Sequence, residues 1–218
     1  MMTEETLFPA FPTRDAPKPD LNRTGGLALA VDPAFSTATR IQLDATCWVD
    51  YVEGWLDGDG ELMDLLMRQA AWEQRSRWMY TRMVREPRLT AEYPVIADAP
   101  LPVLSYLAAT LSDHYERPYT RLWMNWYRDN DDSTGWHADR PADQLDEAII
   151  PVLSLGATRR FLIRPNGGGP SKTLVTRGGD LVVMGGRCQK DYQHSVPKQR
   201  QGTGARLSLN FSAPAPSA

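Results

Sequence analysis

Apolar positions along the chain change their period near residue 120, which divides it into a helical part and a β part. Between Asp44 and Leu56, the residues Trp48, Val49, Val52, Trp55 and Leu56 fall at i, i+1, i+4, i+7 and i+8, the spacing of one helical face. This predicts a first helix. A second is expected from Glu61 to about Glu73, and Val103, Leu104, Leu107 and Leu111 repeat the spacing after Pro100 and Pro102, predicting a third that runs to about His114. From Arg121 the period becomes two, in short runs set off by Gly, Pro, Asn and Asp: 121–127, 148–155, 160–164, 173–176, 180–184, 192–196 and 206–212. Helices followed by many short strands predict an α+β chain, a β-sandwich or open barrel with helices on one outer face. Residues 1–24, rich in Pro, Asp and Thr, and the tail 213–218 carry no such pattern and are expected to be loosely ordered.

Composition narrows this reading. With 218 residues and 42% hydrophobic content, the span 25–212 suits one domain with a single core. No apolar run approaches the roughly 18 residues of a membrane span, and the N-terminus lacks the basic-then-apolar order of a signal peptide, so a cytoplasmic protein is expected. Cys47 and Cys188, far apart and in no CxxC pair, argue against a disulfide framework or a cysteine zinc site. The net charge of −3 hides an uneven distribution: residues 1–64 carry twelve acids against four bases, whereas 65–88 carry six arginines against two glutamates. Trp72, Trp78 and Tyr80 interleave that basic stretch, which has the composition to grip phosphates and stack bases. It equally has that of a solvated face with its aromatics turned inward.

The candidate chemistry sits in the β part. Trp136-His137-Ala138-Asp139 places a histidine two residues from an aspartate, and extended alternation puts both on one side. His194 follows 55 positions after Asp139, on another predicted strand. Two histidines and a carboxylate on one face of a metal leave further coordination positions open, as in non-haem Fe(II) oxygenases. An HxD pair alone also arises by chance. The last strand adds to it: period two puts Arg206, Ser208, Asn210 and Ser212 on one face and Leu207, Leu209 and Phe211 on the other. An arginine on an inner wall calls for an anion, and its fork matches a carboxylate. In 121–127, Trp123, Asn125 and Tyr127 share a face, so Asn125 and Tyr127 are expected to donate hydrogen bonds into the same cavity.

Six blocks in order, Asn125 to Asn130, Trp136 to Asp139, Ser154 to Ala157, Gly179 to Gly186, His194 to Lys198, and Arg206, resemble the AlkB family of nucleic-acid dealkylating dioxygenases. The resemblance covers about 120–212 closely. It extends more loosely over Trp72 to Tyr93, where Pro87-Arg88 and Tyr93 resemble that family's substrate lid. It implies a double-stranded β-helix, or jelly roll, at about 120–212, with N-terminal supporting helices and lid at about 44–115. It implies Fe(II) held by His137, Asp139 and His194, 2-oxoglutarate held by Asn125, Tyr127 and Arg206, and O2 as second co-substrate. Trp72, Trp78, Tyr80 and Arg82 become substrate contacts. The implied partner is nucleic acid with alkylated bases, single strands being tolerated, met by a monomer.

Three positions depart from the pattern. The family's second arginine is replaced by Ser212, the acid that often follows HxD gives way to Arg140 and Pro141, and the usual Thr-Phe-Arg reads Asn210-Phe211-Ser212. Two other functions therefore stand beside base dealkylation: hydroxylation of a small molecule or protein by the same iron chemistry, and a binding module without catalysis.

Overall fold

Short β-rich segments dominate the computed structural model, which describes residues 26–79, 81–200 and 202–214. Residues 1–25, Tyr80, Gln201 and 215–218 lie outside the described residues. Fifteen strands, numbered in chain order, occur among those described: β1 Ala30–Val31, β2 Ala38–Gln42, β3 Cys47–Val52, β4 Leu56–Asp57, β5 Ser76–Met79, β6 Arg82–Arg85, β7 Leu89–Tyr93, β8 Arg121–Tyr127, β9 Thr134–His137, β10 Ile150–Gly156, β11 Arg159–Pro165, β12 Lys172–Thr176, β13 Leu181–Gly186, β14 Tyr192–Val196 and β15 Arg206–Ser212. Helices are α1 Asp59–Gln69, α2 Pro102–Tyr115 and the single turn α3 Cys188–Asp191.

Seven strands form the major sheet in the order β2-β3-β13-β10-β15-β8-β7, and four form the minor sheet in the order β12-β11-β14-β9. This is the jelly roll that was expected. Two cores follow from the alternation. Leu207, Leu209 and Phe211 of β15, with Leu122 and Met124 of β8, pack outward against Leu62 and Leu66 of α1 and Leu104, Leu107 and Leu111 of α2. Between the sheets, Val152, Phe161, Ile163, Val182, Met184 and Val196 form a second, smaller cluster. At roughly 25 cal/mol per Å2 of apolar surface, the helix-covered core is the main source of stability.

The seven β runs expected after Arg121 are all strands, with ends within two residues of the expectation. The second and third helices are present as α1 and α2. Pro102 opens α2, where its missing N–H is no loss. Asp59 and Glu61 face the positive end of α1. Helix α1 stops at Gln69 rather than Glu73, because the chain turns so that the Trp72 indole donates to the Leu66 carbonyl at 3.0 Å and Glu73 bridges to Thr90.

The first expected helix, 44–56, is instead β3 with the start of β4. Strand β3 is covered on both faces: Cys47, Val49 and Tyr51 belong to the inner cluster and Trp48 and Val52 to the helix-covered one. A strand buried on both sides loses its polar alternation, and its apolar positions then mimic helical spacing. Its pairing with β13, Cys47 to Gly186 through Val52 to Leu181, settles the matter. The region 74–93, read as a lid without regular elements, forms the hairpin β5–β6 and edge strand β7. Strand β9 was read only as an extended segment from Trp136 to Asp139; it runs instead from Thr134 to His137, with Gly135 inside it. Cys47 and Cys188 are free and buried. Among the described residues no helix is long and apolar enough to cross a membrane.

Candidate metal centre and its cavity

Strands β9 and β14 pair antiparallel with His137 opposite His194, so two imidazoles stand side by side with ring centroids 4.2 Å apart. The Phe161 ring stacks on His194 at 5.3 Å. The chain leaves β9 after His137, and Asp139 turns back toward the pair. Its backbone N–H donates to Gln189 Oε1 at 2.8 Å, and its Oδ2 accepts from Gln189 Nε2 at 3.3 Å. The other oxygen, Oδ1, is buried with no hydrogen-bond partner and lies 3.6 Å from His137 Nε2 and 3.4 Å from His194 Nε2. His137 Nδ1 sits 2.9 Å from the Gly135 carbonyl; a proton there donates to it and leaves the Nε2 lone pair facing Oδ1.

Ligand atoms of all three residues lie within 4.8 Å of one another, the only such group among the described residues. Burial alone would raise the Asp139 pKa, yet the adjacent His194 and His137 hold the carboxyl well below its ordinary range. Burial lowers the His194 pKa, with Asp139 offsetting part of the shift, so the imidazole is neutral at pH 7. Two imidazole nitrogens and a carboxylate oxygen that is otherwise unsatisfied, all aimed at one point, fit a divalent first-row metal such as Fe(II).

This triad lines a cavity of about 950 Å3 between the sheets. Arg206, 1% exposed, lies in its wall: Nη2 donates to Ser154 Oγ at 2.8 Å, while Nε and Nη1 have no partner. Burial pushes its pKa down to about 10. A buried cation with two bare donors fits a carboxylate ligand. The Tyr127 ring lies 5.3 Å from the Arg206 guanidinium and 5.7 Å from that of Arg159, another fully buried arginine. The Tyr127 hydroxyl is 2.8 Å from Thr134 Oγ1. Asn125 also lines the cavity, but its amide donates to Ser208 Oγ at 3.1 Å and its carbonyl accepts from Arg88 Nε at 2.9 Å, so it is tied to the wall more than expected.

Four substrate contacts were expected, and the structure separates them. Trp78, on the β5–β6 hairpin, lines the cavity and is 67% exposed. Arg82 is exposed on the same hairpin but does not line the cavity. Trp72 is a correction: its N–H is used on Leu66 and its ring packs edge-on against Trp126 at 5.5 Å, in the helix-covered core. Tyr80 lies outside the described residues.

Sequence reasoning missed Gln189 and Asp143, and it read Arg88 only as part of a lid, whereas the structure ties Arg88 to Asn125 in the cavity wall. An acid was expected to be missing after HxD. Instead, the 3-10 turn Ala142–Gln144 brings Asp143 into the cavity wall, with its Oδ1 buried and unpartnered and its N–H donating to the Asp139 carbonyl at 2.8 Å. No local pattern signals these three as wall residues, because turns and strand pairing bring them in from separate segments. Ser212 sits at the far end of β15, opposite Arg121, and does not line the cavity.

Comparison with known proteins adds an independent line. A family model described as the 2OG-Fe(II) oxygenase superfamily matches residues 61–211. The chain is similar to alpha-ketoglutarate-dependent dioxygenase alkB homolog 3 of Mus musculus, 30% identical over 93% of this chain and 76% of the relative. The Bos taurus protein of that name is 32% identical over 69% of this chain and 59% of the relative. DNA oxidative demethylase ALKBH2 of Arabidopsis thaliana is 28% identical over 43% of this chain and 37% of the relative. The solved structure of OsALKBH1 shares the fold, with a TM-score of 0.55 and 13% identity over 81% of this chain and 100% of that one.

Proposed function

The chain belongs to the 2OG-Fe(II) oxygenase superfamily and, within it, to the AlkB-like dioxygenases, and from that premise we propose that it oxidatively removes alkyl groups from nitrogen atoms of DNA or RNA bases. It is an oxidoreductase whose cofactors are Fe(II) and 2-oxoglutarate. His137, Asp139 and His194 would hold the metal, and Arg206, steadied by Ser154, would hold the distal carboxylate of the co-substrate beside Tyr127. When bound, iron, 2-oxoglutarate and O2 together supply the oxidation of a C–H bond, with release of succinate and carbon dioxide. A hydroxylated N-methyl group falls apart to formaldehyde and the restored base.

The protein's own part is placement and charge. The Asp139 carboxyl is held below its ordinary range by the adjacent histidines and burial lowers the His194 imidazole, shifts that favour the metal-ready form of each. Val152, Phe161 and Val196 give the cavity an apolar wall that limits water beside the reacting carbon. A base can reach this depth only from a single strand or by leaving its duplex. At the mouth Trp78 offers a stacking face, and Arg75, Arg88, Arg140 and Lys190 also line the cavity, paired there with Glu92, Glu86, Asp143 and Asp146, carboxylates that a phosphate would share or displace. Asp143 presents an unpartnered carboxylate oxygen on the same wall, suited to the amino group and positive charge of an adenine alkylated at N1 or a cytosine alkylated at N3.

The observation that carries this reading is one cavity holding the triad, the half-satisfied Arg206 and an exposed aromatic at its mouth. Formaldehyde release tests it, measured on oligonucleotides containing 1-methyladenine, 3-methylcytosine or the neutral 3-methylthymine. Release from the two cationic bases, faster than from the neutral one, is expected. Succinate formation with no formaldehyde from any methylated oligonucleotide would assign the iron chemistry to another substrate.

A further inference from the structure

Asp139 is gripped at two points by one side chain, and the grip is asymmetric. From it we infer that Gln189 is a positioning residue that selects which oxygen of Asp139 meets the imidazoles and so sets the metal affinity of the centre; the inference rests on the metal-centre reading above. Gln189 is 1% exposed and accepts the Asp139 N–H through Oε1. Because a backbone N–H can only donate, this contact fixes the orientation of the Gln189 amide and turns Nε2 toward Oδ2. Oδ2 is thereby occupied, and Oδ1, which has no other partner, is left toward His137 Nε2 and His194 Nε2. A carboxylate held this way presents one oxygen to a metal and keeps the second out of the coordination sphere.

The grip is firm because its own support is fixed. Gln189 lies on α3, which is pinned to β3 by the Cys188 thiol donating to the Trp48 carbonyl at 3.2 Å and closed by the Arg187–Asp191 ion pair at 2.7 Å. Nε2 also meets Met184 Sδ at 3.5 Å. The chain runs from α3 directly into β14, so the segment that orients Asp139 also delivers His194. Hydrogen-bonded supports of this kind tune ligands they do not themselves join, and their loss weakens metal binding by about 10–100-fold.

The test is Mn(II) uptake by metal-stripped full-length protein, followed by the loss of free Mn(II) signal. Gln189→Met keeps the length and removes both hydrogen bonds; Gln189→Glu keeps the acceptor and removes the donor. Both are expected to bind Mn(II) about 10–100-fold more weakly than wild type, while Trp72→Ala, which loses packing in the helix-covered core without touching Asp139 or α3, binds as wild type does. A second readout separates positioning from general damage: with Fe(II) raised to saturation, succinate formation by the Gln189 variants should return toward the wild-type rate. If Gln189→Met does not fold, Gln189→Glu decides. Wild-type affinity in the folded Gln189 variants, or an equal loss in Trp72→Ala, overturns the inference. Wild-type protein that takes up no Mn(II), or takes it up unchanged after His137→Ala, overturns instead the metal-centre reading beneath it.

Discussion

Arg206 concentrates the residue-scale argument. A guanidinium this deep with two bare nitrogens is held at an electrostatic disadvantage that an anion relieves. Arg206→Lys, which loses the fork, is expected to raise the 2-oxoglutarate concentration for half-maximal succinate formation by about tenfold or more, with metal uptake little changed. Asp132 is a second case. Burial alone would raise its pKa, but hydrogen bonds from the Arg128 side chain and backbone outweigh that and hold it below 3.8. A lowered folded-state value means that the group's stabilisation is present above 3.8 and fades as pH falls through the folded value. Asp132→Asn should therefore lower the unfolding free energy by about 1–3 kcal/mol at pH 7 in urea titrations, with the gap closing in acid. At this scale, Arg206 was legible from strand alternation and the triad from the HxD spacing and the family motifs, although it is the turn after β9, not alternation, that brings Asp139 to the histidines. Gln189 and Asp143 were not, since only the turns around them aim them at the site.

Among elements, the β5–β6 hairpin carries Trp78, the stacking face of the proposed function. Trp78 stands exposed on it at the cavity mouth, whereas Trp72, six residues earlier, is committed to the core. The two tryptophans therefore predict opposite phenotypes. Trp78→Ala should weaken single-stranded oligonucleotide binding by about 1–3 kcal/mol in fluorescence titrations and leave substrate-free succinate release unchanged. Trp72→Ala should instead lower the melting temperature, through lost packing and the lost bond to Leu66. Composition showed an arginine-rich stretch with aromatics but not which ones face solvent; pairing of Thr90 with Asn125 and of Glu73 with Thr90 decides that. Strand β3 was misread for a related reason. Both of its faces are buried, and the polar alternation that marks a strand is lost there.

The whole molecule divides its labour between two cores. Leucine-rich packing of α1 and α2 against the major sheet supplies stability, which leaves the space between the sheets free to hold polar and charged side chains. The two helices of the outer core were legible before residue 120, but strands β1–β7 around them were not, and the jelly roll itself was implied by the family motifs. Net charge of −3 gives no global attraction to nucleic acid, so under the proposed function recognition would fall to the few cations lining the cavity. Oligonucleotide affinity is accordingly expected to fall with salt along a shallow slope, of about one to three phosphate contacts, in titrations at stepped ionic strength. The central claim is that one ferrous centre is built by His137, Asp139 and His194. Anaerobic equilibrium uptake of Fe(II) by metal-stripped wild type and by His194→Ala tests it most directly. The account predicts one iron per wild-type chain and uptake reduced to background in the variant; equal stoichiometric uptake by both would contradict it.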